Sequence, residues 1–113
     1  MVRKWFPKRG DAVWLELNPQ AGREQAGKRP ALVLSPDAYN KKTGLFIVCP
    51  ITNQAKGYPF EVPLPDDCGV TGVILSDQVK SLDWRARNAQ FKCKIPGDVV
   101  EEALAKCSAL LAW

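Results

Sequence analysis

Two short polar stretches carry the residue types from which chemistry could be built. In "EQAGKRPALVLSP", Glu24, Lys28 and Arg29 crowd together just before Pro30. In "CPITNQAKGY", Thr52, Asn53, Gln54 and Lys56 follow an apolar run. Arginine and lysine donors match phosphate oxygens. A threonine hydroxyl can donate to a developing negative charge. A carboxylate beside them could take a proton or orient a donor. Together these groups would suit cleavage of a phosphodiester in RNA, where the 2′-hydroxyl attacks in line and no metal is needed. Taken as residue types alone, solvated loops with surface ion pairs, each contributing about 0–1 kcal/mol, are the better reading.

Several other chemistries are excluded. The chain has no histidine, so Ser-His-Asp and Cys-His constellations and any histidine general base are ruled out. An enzyme built from this sequence would use carboxylates, arginine, lysine or hydroxyls. The four cysteines, Cys49, Cys68, Cys93 and Cys107, form no C-x-x-C pair. They read as reduced thiols acting mostly as small core residues, Cys68 being the most exposed, with no metal site and no cofactor. The net charge of +4 favours an anionic partner. No apolar run approaches the ~20 residues that would span a bilayer. The start, "MVRKWFPKRGD", lacks the apolar stretch of a signal peptide. A cytoplasmic protein without a membrane partner is expected.

The elements that must hold these residues follow from periodicity. The 113 residues suit one domain, 1–113, small enough that a second copy would help to bury surface. "DAVWLEL" (11–17) alternates, with Val13, Leu15 and Leu17 on one face and Trp14 and Glu16 on the other. Residues 30–35 and 45–51 read as apolar strands, 36–44 as a short helical turn, and 59–64 as an edge strand between prolines. Residues 71–82 begin as a strand. In 86–95, Phe91, Cys93 and Ile95 should alternate inward, with Lys92 and Lys94 as a solubilising outer face. The period then changes. "GDVVEEALAKCSALLAW" sets Val100, Leu104, Cys107 and Leu111 on one helical stripe, with Asp98 as N-cap and Glu101 completing a capping box. The expected fold is mainly β: a small, strongly curved sheet or barrel of five to seven strands with a C-terminal amphipathic helix. If the strands at 30–34 and 45–51 are antiparallel neighbours, Arg29 and Thr52 meet at one end of the sheet.

"GDAVWLELNPQAGREQAGKRPALVLSP", then "CPITNQAKGYPFEV" and "SDQVKSLDWRAR", closely resembles the MazF/PemK family of toxin endoribonucleases from about Gly10 to Arg87. The first loop ending in Arg-Pro, the Thr-x-x-x-Lys-Gly loop and the Asp-Gln-Val-Lys stretch fall in the family's order and spacing. The resemblance implies an SH3-like barrel working as a homodimer. It implies sequence-specific, metal-independent cleavage of single-stranded RNA, leaving a 2′,3′-cyclic phosphate and a 5′-hydroxyl. It also implies a cognate antitoxin, expected to present an acidic, initially disordered tail. By the family's pattern Arg29 and Thr52 are the main catalytic residues, Glu24 matches the glutamate of the first loop, and Lys56 is expected to contact phosphate. Some relatives carry histidine before the arginine; here Lys28 stands there and would strengthen phosphate attraction. Either Glu24 or Arg29 takes the 2′-hydroxyl proton, and the sequence leaves that assignment open.

Further candidates for RNA contact are Gln54, Trp14, on which a base could stack, and Gln78 and Lys80, read as outward positions of the "DQVKS" strand. For Trp14 a place in the core or an interface, and for Gln78 and Lys80 a solvated face, stand as alternatives. Trp5, Trp84 and Trp113 are assigned to packing. Two other functions fit the same fold: a CcdB-type gyrase poison, whose target contact lies at a C-terminal Trp as in "LLAW" here, and a non-catalytic nucleic-acid-binding barrel.

Overall fold

A computed structural model describes residues 5–17 and 27–112. Glu24, Gln25 and Trp113 lie outside the described residues. The strands are β1 (Asp11–Leu17), β2 (Gly27–Val33), β3 (Leu45–Thr52), β4 (Glu61–Pro63), β5 (Val73–Leu75), β6 (Lys80–Asp83) and β7 (Gln90–Lys94). The helices are α1 (Asp37–Thr43) and α2 (Gly97–Leu111). The strands pair antiparallel in the order β4-β5-β3-β2-β1-β7, with β6 also on β3. This is the curved, mostly β architecture expected, with β4 on the edge as its prolines require.

β3 organises the sheet. Along one edge it pairs with β2, Ala31 opposite Pro50 and Val33 opposite Val48. Along the other edge it changes partner: Leu45–Val48 pair with β6, while Ile51 and Thr52 pair with β5. Pro50, which has no N–H to give, falls in the gap between those two segments, where a missing donor does least harm. The side chains alternate between two cores. Leu32, Cys49 and Ile51 pack with Ala12, Val62, Ile74 and the α2 residues Val99, Val100 and Ala103. Ala31, Val33, Phe46 and Val48 pack with Val13, Leu15, Leu17 and Trp84. Trp5 meets Trp84 edge to face, centroids 6.2 Å apart, in line with the packing role expected of both.

Five expectations need correction. Lys28 and Arg29 do not sit in a loop before the strand; they belong to β2, opposite Glu16 and Leu15. The N-cap of α2 is Pro96 with no side-chain bond, so Asp98 lies within the first turn, where its charge favours the helix dipole. Leu111, expected on the buried stripe, is 83% exposed: it is the last residue of α2, beyond the buried positions Val99, Val100, Ala103 and Cys107. The fourth is the phase of β7. Its register on β1 runs Lys94 to Asp11 and Cys93 to Ala12, then skips to Phe91 opposite Val13. Lys92 is the extra residue of a β-bulge, and the bulge breaks the alternation. Ile95 is buried as expected, yet Phe91 is 49% exposed. The fifth is the "DQVKS" strand, which begins only at Lys80 and leaves Gln78 in the preceding turn.

Asn40 ties α1 to the chain around it. Its fully buried side chain donates to the carbonyls of Pro7 and Ser35, at 3.0 and 3.1 Å, and accepts from the Ser35 hydroxyl. Its own carbonyl receives the Trp84 indole N–H at 2.9 Å. Asn40→Ala should strand two buried carbonyls and cost roughly 2–4 kcal/mol, read as a lower urea midpoint at unchanged m-value.

Candidate active site

The β2–β3 register sets the geometry of the site. Carried two residues past Ala31 and Pro50, it places Arg29 opposite Thr52. Both residues line one cavity of about 430 Å³. β1 contributes Trp14, β2 adds Lys28 and Pro30, the segment before β5 adds Gly69 to Thr71, and β7 adds Lys92. Among the described lining residues there are three cations and no carboxylate, so the cavity has the sign of an anion site.

Thr52 is held tightly. Its side chain is nearly buried, and its hydroxyl oxygen accepts the Gln54 N–H at 3.1 Å. That leaves the Thr52 hydroxyl proton available to donate elsewhere. The backbone is held as well. Gly72 has a φ of +112°, and a Cβ there would lie 2.3 Å from the Thr52 carbonyl oxygen. Only glycine allows this approach. Beside it the Thr71 hydroxyl donates to Asn53 Oδ1 at 2.9 Å.

Of the residues singled out in the sequence, Arg29, Thr52, Lys28 and Trp14 come together at the cavity. Glu24 lies outside the described residues. Gln54 and Lys56 are exposed on the loop that leaves Thr52, beside the cavity lining rather than in it. Gln78 and Lys80 also stand apart from the lining. Lys80 pairs with Val48 in β6, and the Gln78 side-chain oxygen is buried without a hydrogen-bond partner.

Sequence reasoning missed three contributors. Lys92, read as part of a solubilising face, is turned by the bulge so that its ammonium lies 5.5 Å from the Trp14 ring centroid. Lys94, its supposed partner on that face, pairs instead with the buried Asp11 at 2.8 Å. Glu61 is almost buried, and its carboxylate accepts the Lys56 and Gly57 N–H groups at 2.9 and 3.0 Å. The signal for it was a lone carboxylate in the apolar string "PFEVP". Gly72 carried no readable signal, because its role depends on a contact between distant segments.

The thiols take no visible part. Cys49 is buried and its pKa is pushed up to about 12, chiefly by desolvation. It therefore stays protonated, a small core residue rather than a nucleophile.

This fold is that of a known toxin family. The family model for PemK-like, MazF-like toxins of type II toxin–antitoxin systems matches residues 8–111, and the chain belongs to that family. It is 47% identical over 111 residues to the endoribonuclease toxin MazF of Escherichia coli K12, covering 98% of this chain and 99% of the relative. It is 37% identical to the Escherichia coli endoribonuclease PemK, over 96% of this chain and 85% of that one. Its structure is similar to crystalline MazF from Deinococcus radiodurans, with a TM-score of 0.92 and 54% identity over 97% of this chain and all of the other. A MazE–MazF complex from the same organism gives a TM-score of 0.88, again at 54% identity, over 96% of this chain and 98% of that one.

The Gly72 contact can be tested alone. Gly72→Ala should cost about 1–3 kcal/mol from backbone strain, before any steric push on Thr52. A thermal midpoint several degrees lower is expected, and one equal to wild type would show that both the backbone at residue 72 and the Thr52 carbonyl relax without cost.

Proposed function

We propose that this chain is the endoribonuclease toxin of a type II toxin–antitoxin pair, cleaving single-stranded mRNA at specific sequences without a metal and so blocking translation and growth. The observation that carries the reading is the convergence of Arg29 and Thr52 in a cavity lined by cations. The 2′-oxygen of the substrate attacks the adjacent phosphorus. The bond to the 5′-oxygen breaks, leaving a 2′,3′-cyclic phosphate and a 5′-hydroxyl. Arg29 and the donating Thr52 hydroxyl hold the non-bridging oxygens as charge builds on them. Glu24 or Arg29 removes the 2′-proton, and the conjugate acid returns one to the leaving oxygen. Lys28 and Lys56 attract flanking phosphates, joined by Lys92. Trp14 offers a face on which a base stacks. Gln54, beside Thr52, lies within the same path, whereas Gln78 and Lys80 would meet only a longer RNA.

The family match and the nuclease relatives favour this reading over a gyrase poison or a non-catalytic barrel. Trp113, on which the gyrase reading rested, lies outside the described residues. The antitoxin is expected to lay an acidic tail over the cationic cavity, inhibiting by occlusion. A cytoplasmic location follows from an mRNA substrate. Among the described residues no helix is long and apolar enough to cross a membrane.

A homodimer completes the proposal. The exposed apolar residues Tyr39, Val79 and Leu111 edge a groove of about 340 Å³ beside Leu104 of α2, the surface a second copy would cover. Val79→Glu should shift the sedimenting mass from dimer toward monomer.

The central test is cleavage in EDTA. Wild-type protein should cut a long single-stranded RNA at discrete sites with cyclic phosphate ends. Arg29→Ala and Thr52→Ala, folded by circular dichroism, should each lower the single-turnover rate by about 10²–10³, the scale of losing one donor to a developing anion. Rates within a few-fold of wild type would remove both residues from the mechanism.

A further inference from the structure

Glu61 is a charged side chain placed in a nearly dry position with no part in the chemistry above. It is only 9% exposed. Burying a carboxylate is costly unless its oxygens are hydrogen-bonded. Here both are: Oε2 accepts the Lys56 N–H at 2.9 Å and Oε1 the Gly57 N–H at 3.0 Å. Gly57 has a φ of +81°, the left-handed conformation that lets two successive N–H groups converge on one anion. The backbone of Glu61 is anchored in turn. Its N–H donates to the Tyr58 carbonyl at 3.1 Å, and its carbonyl accepts Lys106 Nζ of α2, also at 3.1 Å. Lys106 is further paired with Glu102 at 3.3 Å.

The loop from Asn53 to Gly57 thus has two separate anchors. The Thr52 end is fixed by the β3–β5 pairing, by the bond from Gln54 and by the close approach of Gly72. The Lys56 end is fixed by the Glu61 carboxylate. We propose that Glu61 is a positioning residue for substrate binding: through its bidentate hold on the loop backbone it sets Lys56 against the phosphate of single-stranded RNA, without touching the RNA itself. The assignment rests on the reading of Lys56 as a phosphate contact. Because Thr52 is anchored independently, loss of Glu61 weakens RNA binding and leaves the reacting groups in place.

The test is a cycle of Lys56→Ala, Glu61→Ala and their combination, with Glu61→Gln beside it. The substrate is a single-stranded RNA with one mapped cleavage site, and kcat and KM are measured at several salt concentrations. Glu61→Ala should raise KM about tenfold, as expected for losing one charge-assisted contact, with kcat held within about twofold. It should flatten the salt dependence of KM as Lys56→Ala does, since each removes one phosphate contact. Glu61→Ala should add little in the Lys56→Ala background. Glu61→Gln keeps one accepting oxygen and should fall between; it carries the test should Glu61→Ala fail to fold. A fall in kcat at unchanged KM and salt dependence, or full additivity with Lys56→Ala, would overturn the proposal. If Lys56→Ala raises KM and both Glu61 variants match wild type, the phosphate contact stands and the Glu61 role falls. If Lys56→Ala leaves KM unchanged, both fall together.

Discussion

The register between β2 and β3 is the constraint on which the rest depends. β3 is buried on both faces, so each of its residues belongs to one of two cores. A slip of one residue would send Cys49 and Ile51 into the space of Phe46 and Val48, and the reverse. Neither core could accept the exchange without voids and clashes. The alignment that packs Val33 against Val48 therefore also decides what stands opposite Arg29. The site inherits its geometry from hydrophobic packing several residues away. Its polar groups need no strong attraction for one another to stay together.

The sheet was most legible where burial imposes a clean period. In β1 the alternation of Val13, Leu15 and Leu17 with Trp14 and Glu16 gave the strand and its faces, and the structure agrees. The continuous apolar run at 45–51 gave the strand that the structure shows as β3. Legibility failed where one local event overrides the pattern. The bulge at Lys92 inverts the phase of β7, and a period-two reading has no means of placing an extra residue. The proline cap of α2 hid behind a better-looking capping box. Lys28 and Arg29 read as loop because they are polar and precede a proline, yet pairing with β1 holds them extended.

The site itself divides in the same way. Arg29 and Thr52 stood out because their types match a chemistry and each borders an apolar strand. Glu61 and Gly72 did not, because each acts on backbone: one accepts N–H groups, the other makes room for a carbonyl. Such roles leave little trace in residue type. They emerge only when segments distant in sequence are brought together, as Thr52 and Gly72 are by β3 and β5.

The bulge in β7 bears on how the cavity could change among relatives. Removing the one extra residue would restore a regular ladder with β1, turn the position of Phe91 inward and withdraw the cation that lies over Trp14. Two properties of the pocket, its charge and the wall beside its aromatic face, thus hang on strand length rather than on side-chain identity. Gaining or losing a single residue on an edge strand would reshape this pocket while leaving Arg29 and Thr52 as they are.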